Sequence, residues 1–243
     1  MPREPQAKPY HTAWGFLRLR ERWGLTARGW LAAVGVLGCV SFVGLLKCHP
    51  FLSVTRRVEA STLVIEGWIH SYAIETGVRE FRSGMYDRIV VTGGPVSGIG
   101  DYRNDFQTTA SVGVDNLRAN GVPPHLLHAA PARAAARDRT FAAAVALGSW
   151  LKREQPTVTR INVLTEDCHG RRTRLLYQRA LGSSFDVGII SVKNPDYNPR
   201  RWWRYSEGVR EVLGEFTAYV YARFFFWPGD ADRLLDSASS SPK

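Results

Sequence analysis

The sequence predicts an α/β protein, a Rossmann-like, doubly wound and mainly parallel five-stranded sheet preceded by one N-terminal transmembrane helix. Three observations carry this expectation. Short apolar runs recur at Thr62–Ile65, Arg88–Val91, Leu126–Ala130, Ile161–Leu164 and Val187–Val192. Stretches with helical spacing separate them, and strands joined through helices of that length need right-handed parallel crossovers. An uncharged stretch, Trp30–Leu46, precedes them all and is closed by Lys47.

A chain of 243 residues has ample material for one large core or two small ones. The formal charge of +10 is concentrated at the start, where Arg3, Lys8, Arg18, Arg20, Arg22 and Arg28 face only Glu4 and Glu21. This basic segment spans residues 1–28. The remainder holds no Lys/Arg block, and its aromatics form no stacking strip, which argues against a nucleic-acid partner.

The next element, residues 29–47, approaches the lower length limit for a spanning helix. Trp14, Trp23 and Trp30 on its amino side fit an aromatic belt, so the lipid bilayer is the first predicted partner. A cleaved signal peptide fits less well, because the basic lead is long and no small-x-small site precedes a polar stretch. A lipoprotein signal at Val36–Cys39 is weaker still, since the apolar run continues past the cysteine; a buried soluble helix is the remaining alternative. The basic lead predicts an inside amino terminus, with residues from about 48 outside the cytoplasm, although Lys47, Arg56 and Arg57 dilute that bias. Of the three cysteines, Cys39 and Cys48 belong to the span and its exit, leaving Cys168 alone, so no internal disulfide is expected. Cys168 and His169 are adjacent on a loop and do not form a catalytic dyad.

An α/β domain is expected over residues 58–227. Its first strand runs into Glu66-Gly67-Trp68, and Ile74, Gly77, Val78 and Phe81 then recur at helical spacing until Gly84. The second strand enters the Gly-rich loop Thr92–Gly100, and a helix from about Asp105 to Asn120 ends at Gly121-Val-Pro-Pro. Asp138 is an N-cap candidate for a helix with the apolar stripe Phe141, Ala144, Val145, Gly148 and Leu151. Val209, Val212, Leu213, Phe216, Tyr219, Val220 and Phe224 mark a long last helix between Tyr205 and Phe226. Its aromatic end, Phe224–Trp227, belongs either in the core, the favoured placement, or against the bilayer. Residues 228–243 are polar and expected to be mobile.

Function should sit where the strands end, because open parallel sheets bind ligands at their carboxyl edge. Five loops should gather there: Glu66–His70, Thr92–Gly100, Pro131–Thr140, Thr165–His169 and the residues from Lys193. They bring together Glu66, the Gly93-Gly94 backbone, Asp138, Arg139, Thr140, Glu166, His169 and Arg172. Arg171, Arg172 and Arg174 lie in the first turns of a helix, where the macrodipole disfavours bases. Backbone N–H groups with guanidinium groups make an anion site for phosphate or carboxylate. The competing expectation is that these arginines are solvated or paired with Glu166 and Asp167. In the anion-site reading, Gly93, Gly94, Asp138, Arg139, Thr140 and Arg172 bind the ligand. His169 is the general acid or base, oriented by Glu66 or Glu166. No H-E-x-x-H, C-x-x-C or P-loop lysine pattern is present, so no metal or nucleotide-phosphate motif is predicted. Glu66, Glu166, Asp167 and His169 are the group with divalent-ion chemistry, and the residues name no cofactor.

The order of features resembles the YdcF/SanA/ElyC-like proteins, which share domain of unknown function 218. The matching stretches are Leu63-Val-Ile, Ile89-Val-Val-Thr-Gly-Gly94, Gly121-Val-Pro123, Arg137-Asp-Arg-Thr140 and Val163-Leu-Thr-Glu-Asp-Cys-His-Gly-Arg-Arg172, within residues 60–222. Two departures stand out: Asp101, Asp105 and Thr108-Thr109 lie where the family has an acidic residue near a helix start, and Glu66-Gly67-Trp68 replaces a Gly-rich turn. The resemblance implies a Rossmann-like sheet and, for membrane-anchored bacterial members, a part in cell-envelope or polysaccharide metabolism. One member binds S-adenosylmethionine. Three classes of function follow. One is an envelope hydrolase or transferase acting on a phosphate-bearing or acidic glycan or lipid-carrier substrate. Another is a non-catalytic nucleotide- or S-adenosylmethionine-binding module. The last is a structural envelope partner that uses Arg200-Arg-Trp-Trp-Arg204 and the aromatic carboxyl end as contacts.

Overall fold

The structure, a computed structural model, describes residues 11–12, 17–18, 26–97, 103–133, 138–227 and 229. The chain divides into two compact units, Met1–Gly44 and Leu45–Lys243. The first contains the antiparallel pair β1 (His11–Thr12) and β2 (Leu17–Arg18) and most of α1 (Ala27–Leu52). The helix outruns the apolar stretch at both ends. Its 26 residues make a rod of about 39 Å, longer than a hydrocarbon core of about 30 Å. A window of mean hydropathy 2.1, none of it buried, gives α1 the length and composition of a membrane span or a signal sequence. Most of the basic lead, Trp14 and Trp23 included, and nearly all of the tail from residue 228 lie outside the described residues.

The second unit begins with the last turns of α1, where Leu52 is wholly buried. It continues through β3 (Thr62–Glu66), α2 (Ser71–Phe81), β4 (Arg88–Gly93), β5 (Pro95–Ser97), β6 (Arg103–Thr108), α3 (Thr109–Ala119) and β7 (Leu127–Pro131). Then come α4 (Arg139–Glu154), β8 (Arg160–Glu166), a 3-10 turn (Asp167–His169), α5 (Gly170–Leu181), β9 (Asp186–Val192), a second 3-10 segment (Pro199–Arg204) and α6 (Ser206–Phe224).

The expected five strands form one wholly parallel sheet in the order β7-β4-β3-β8-β9. Counted along the chain among these strands, the order is 3-2-1-4-5, the doubly wound arrangement, whose switch point falls between β3 and β8. Successive strand side chains face opposite sides. Leu63 and Ile65 join Ile74 and Val78 of α2 and Leu117 of α3, while Val64, Val163 and Val187 join Leu147 and Leu151 of α4 and Tyr177 of α5. Both faces are covered, which is why the strands read as continuous apolar runs.

One buried polar residue fixes the chain's entry into the sheet. Asn162 of β8 accepts from Val58 N at 2.9 Å and donates to Val58 O at 2.8 Å and to the Tyr86 hydroxyl at 3.1 Å. Its side chain occupies the space a Cβ at Gly188 would need, so β9 carries glycine there. Just before Val58, Arg56 exchanges backbone bonds of 2.7 and 2.8 Å with Ile189.

The helix expected from Asp105 starts instead at Thr109, because residues 103–108 pair with 95–97 as an antiparallel hairpin. Thr108 sets that start through a capping box, its hydroxyl accepting from Ser111 N while Ser111 Oγ accepts from Thr108 N, each at 3.1 Å. This hairpin occupies much of the stretch read as a loop; residues 98–102, Asp101 among them, lie outside the described residues.

Candidate functional site

Glu66 is the last residue of β3, the first strand of the sheet, and is 1 % exposed. Its Oε2 accepts from Thr165 Oγ1 at 2.5 Å and from Thr173 Oγ1 at 3.3 Å. Its Oε1 is buried and makes no close hydrogen bond among the described residues, with the Trp68 side chain near the carboxyl. Burial pushes the Glu66 carboxyl above its ordinary pKa, and the bond from Thr165, the nearby His169 and Arg172, and the Trp68 side chain only partly oppose it. An orphaned buried carboxylate oxygen carries a desolvation cost that a ligand or proton would relieve.

A cavity of about 860 Å³ opens at this edge of the sheet. Its floor is Glu66, Thr92, Gly93 and Gly94, one wall is the start of α4 with Asp138, Arg139 and Thr140, and another is His169 and Arg172 at the start of α5. Trp68 and the α6 residues Ala218, Tyr221 and Ala222 complete it. Two glycines allow the close packing of this edge. A Cβ at Gly67 would collide with the Thr109 carbonyl, and one at Gly113 would press on Val91 and Gly67.

The cations of the cavity are organised by an acid from another element. Glu215 of α6 receives Arg172 through Nε at 2.7 Å and Nη2 at 2.9 Å, and lies 3.0 Å from His169 Nδ1. Arg172 Nη1 also reaches Thr140 Oγ1 at 3.3 Å, linking α5 to α4. Burial would raise the Glu215 pKa, but the hydrogen bonds and charges of His169 and Arg172 prevail and pull it down to about 2. Burial would lower that of His169, but Glu215 outweighs it and the pKa rises. Nδ1 lies between Glu215 and Arg172, whose Nη2 is 3.1 Å from it, so Nε2 is the ring nitrogen turned to a ligand. Trp68 meets the imidazole edge-on, the ring centres 4.8 Å apart.

All the expected site residues line this cavity except Glu166. Strand alternation explains the exception. The β3–β8 register pairs Ile65 with Leu164; continued one step, it sets Glu66 beside Thr165 and turns Glu166 to the opposite face. There Glu166 takes His70 instead, its Oε1 2.9 Å from His70 Nδ1 and accepting from His70 N at 2.5 Å. The orienting partner of His169 is therefore Glu215, not Glu166 or Glu66. Asp138 precedes α4 at φ 53° but makes no side-chain cap bond, correcting its expected capping role.

The three arginines do not form one cluster, because each step along a helix turns by about a quarter circle or more. Only Arg172 faces the cavity, and it pairs with Glu215, not Glu166 or Asp167. Arg171 lies 4.1 Å over the Phe51 ring and donates to the Phe51 carbonyl, and Arg174 Nε donates to Val187 O at 2.8 Å. The exposed Arg139 is left as the cavity's accessible cation of those expected.

A second polar cluster lies on the far side of the 3-10 turn. Asp167, wholly buried at φ 25°, accepts from Tyr197 OH at 2.7 Å and lies 3.1 Å from His49 Nε2. With Cys168, whose thiol burial pushes far up, these side chains bring a nitrogen, an oxygen and a sulfur within 4.8 Å of one another. That donor set could hold a metal ion, but the His49–Asp167 and Tyr197 bonds already engage it. The group anticipated for a divalent ion is split, Glu66 and His169 in the cavity, Glu166 and Asp167 outside it. The paired tryptophans turn inward as well: Trp202 is 2 % exposed and donates to Leu45 O at 3.1 Å, while Trp203 is half-buried.

Sequence reasoning missed Glu215, though a signal existed. It lies on the buried stripe Gly208, Val212, Glu215 and Ala222, where a carboxylate calls for a buried cation. In comparisons with protein-family models and with curated proteins, this chain finds no match.

Proposed function

We propose that the chain is a membrane-anchored YdcF-like α/β protein of the bacterial cell envelope. Residues 29–47 cross the cytoplasmic membrane once, and the sheet domain lies on the extracytoplasmic side. In this reading the cavity binds and processes an anionic, phosphate-bearing glycan or lipid-carrier substrate, as a hydrolase or transferase.

One observation carries the proposal. A buried carboxyl, Glu66, with one oxygen in no close hydrogen bond among the described residues, shares a cavity with an imidazole whose Nδ1 is held between Glu215 and Arg172. Two titratable groups tuned by different surroundings are what acid–base chemistry needs. Glu66, whose carboxyl burial pushes upward, would donate a proton to a leaving oxygen, and His169 Nε2 would exchange a proton with the attacking group. The Gly93-Gly94 backbone and Arg139 at the start of α4 would hold the phosphate. Arg172 stabilises the site's charge mainly through Glu215, so replacing it would test the fold along with the ligand.

The cleaner test is to titrate inorganic pyrophosphate into the full chain in lipid nanodiscs and to follow phosphate release from a polyprenyl diphosphate. Arg139→Ala should weaken pyrophosphate binding with the fold intact. Glu66→Gln should leave binding in place while abolishing release. Pyrophosphate that does not bind, or that binds Arg139→Ala as well as the parent, refutes the reading. The 3-2-1-4-5 order also favours a second one, a nucleotide- or S-adenosylmethionine-binding module without catalysis. S-adenosylmethionine binding without phosphate release would select it.

A further inference from the structure

Helix α6 has two apolar faces, and among the described residues only one of them is covered. Gly208, Val212, Glu215 and Ala222 are buried, whereas Leu213, Phe216 and Phe224 recur along another stripe and stand in solvent. Phe224, Phe225 and Trp227 are 68, 66 and 70 % exposed, and Phe226 alone of this aromatic end enters the core, against Phe141. A helix on a soluble surface presents polar residues there, and a contiguous exposed apolar strip marks an interaction site.

The composition of the strip and its neighbours name the partner. From Phe216 to Trp227 the chain has no acidic residue, three tyrosine or tryptophan residues and one arginine, Arg223. Aromatic and apolar side chains with a base and no carboxylate suit the boundary between headgroups and acyl chains. The same helix also holds the exit of α1. Val209, Val212 and Tyr219 pack with Leu45, Cys48 and Leu52, and the rings of Phe51 and Tyr219 meet 5.4 Å apart. Lys47 closes the apolar run within this docked turn. Leu45, at the end of that run, is packed in the same unit as α6, so the point at which α1 would leave a bilayer lies at this helix.

We propose that the outer strip of α6, from Leu213 to Trp227, rests in the interfacial layer of the bilayer that α1 crosses. Arg223 then meets lipid phosphates, and the aromatic end sinks beside the acyl chains. Ala218, Tyr221 and Ala222 line the cavity from this same helix, so the cavity opens beside the membrane surface. The inference rests on α1 being a retained span, and the experiment separates the two.

The full chain is reconstituted in nanodiscs of phosphatidylcholine and phosphatidylglycerol, with and without acyl-chain bromination. Subtracting the emission of Trp227→Phe or Trp30→Phe from that of the parent isolates each tryptophan. The expected result is loss of the Trp227 share in brominated discs, alongside loss of the Trp30 share. A quenched Trp30 with an unquenched Trp227 overturns the inference and leaves the anchor standing; a dimer by ultracentrifugation would then make a second copy the cover. If neither tryptophan is quenched, the span itself is refuted and the inference with it.

Discussion

His169 and Glu215 meet at 3.0 Å across the gap between the loop that follows β8 and the middle of α6. Arg172 clasps the other side of the same carboxylate with two nitrogens. A single acid thus fixes the imidazole's orientation, neutralises the start of α5 and ties the last helix to the carboxyl edge of the sheet.

Removing that acid should be costly. Truncation of one partner in a buried ion pair leaves uncompensated charge and costs about 3–5 kcal/mol. Glu215→Ala strands two cations, His169 and Arg172, so a loss in this range is expected in urea unfolding of the full chain in detergent. Glu215→Gln keeps an acceptor and should lose less. A Glu215→Ala protein as stable as the parent would show that the pairing contributes nothing.

The same pairing sets a pH window. The folded pKa of Glu215 is depressed to about 2, so its stabilisation is present above the unfolded carboxylate range and fades as pH falls toward 2. His169 is shifted upward, so its part is full below the unfolded imidazole value and fades as pH rises through the folded one. Stability attributable to the pair should peak in mildly acidic solution. Melting temperatures of the parent minus those of Glu215→Gln, taken from pH 3 to 9, should trace that peak; a flat difference would contradict it.

The strands were legible because a sheet covered on both faces needs uninterrupted apolar runs. The site was legible where strand ends and helix starts coincide, which is how Glu66, Gly93, Arg139 and His169 come together. Glu166 was misplaced because alternation sends neighbours in one strand to opposite faces, and sequence alone does not show which face holds the cavity. Glu215 escaped because an acid on a helix is ordinarily solvated, and its cations lie some forty residues away. The sequence starts α3 at about Asp105 and the structure at Thr109, because the hairpin, a tertiary feature, makes Thr108 the cap.

Glu66→Gln should stabilise the protein at neutral and alkaline pH. A buried carboxyl with a raised pKa holds its proton in the folded state longer than in the unfolded chain, so stability falls as pH rises between the two values. Glutamine removes that titration while still offering an oxygen to Thr165. The gain should vanish below about pH 4, where the unfolded carboxyl is itself protonated. A stability difference that does not change with pH would mean the Glu66 carboxyl is not shifted upward in the folded chain.

Gly67→Ala should be destructive despite its small size. The added methyl would meet the backbone carbonyl of Thr109, which α3 and its capping box hold in place. Overpacking of this kind costs about 1–3 kcal/mol when neighbours can shift, and here they are backbone. Loss of folded protein, or a denaturation midpoint well below that of Gly84→Ala, is expected. Gly84 is the useful control because a Cβ there meets nothing, although its φ of 86° carries its own strain. Equal midpoints would show that α3 yields easily.

The buried Asp167 cluster should behave as a clasp on the end of α1. Asp167 keeps its charge because its bonds from His49 and Tyr197, and another from Ser53, outweigh its burial, so its pKa is lowered. A hydrogen bond to a charged group contributes about 1.5–3 kcal/mol, so Tyr197→Phe should cost about that much, and His49→Ala a comparable amount. Both donors serve one carboxylate, so the two losses should not add, and a double-mutant cycle should give a coupling of about 0.5–3 kcal/mol. Hydrogen exchange supplies the structural readout. If the cluster fastens α1, the amides of Phe51, Leu52 and Ser53 should exchange faster in either variant while those of β3 stay protected. Faster exchange throughout the sheet would instead make the cluster part of the global core, because a clasp loosens only what it holds.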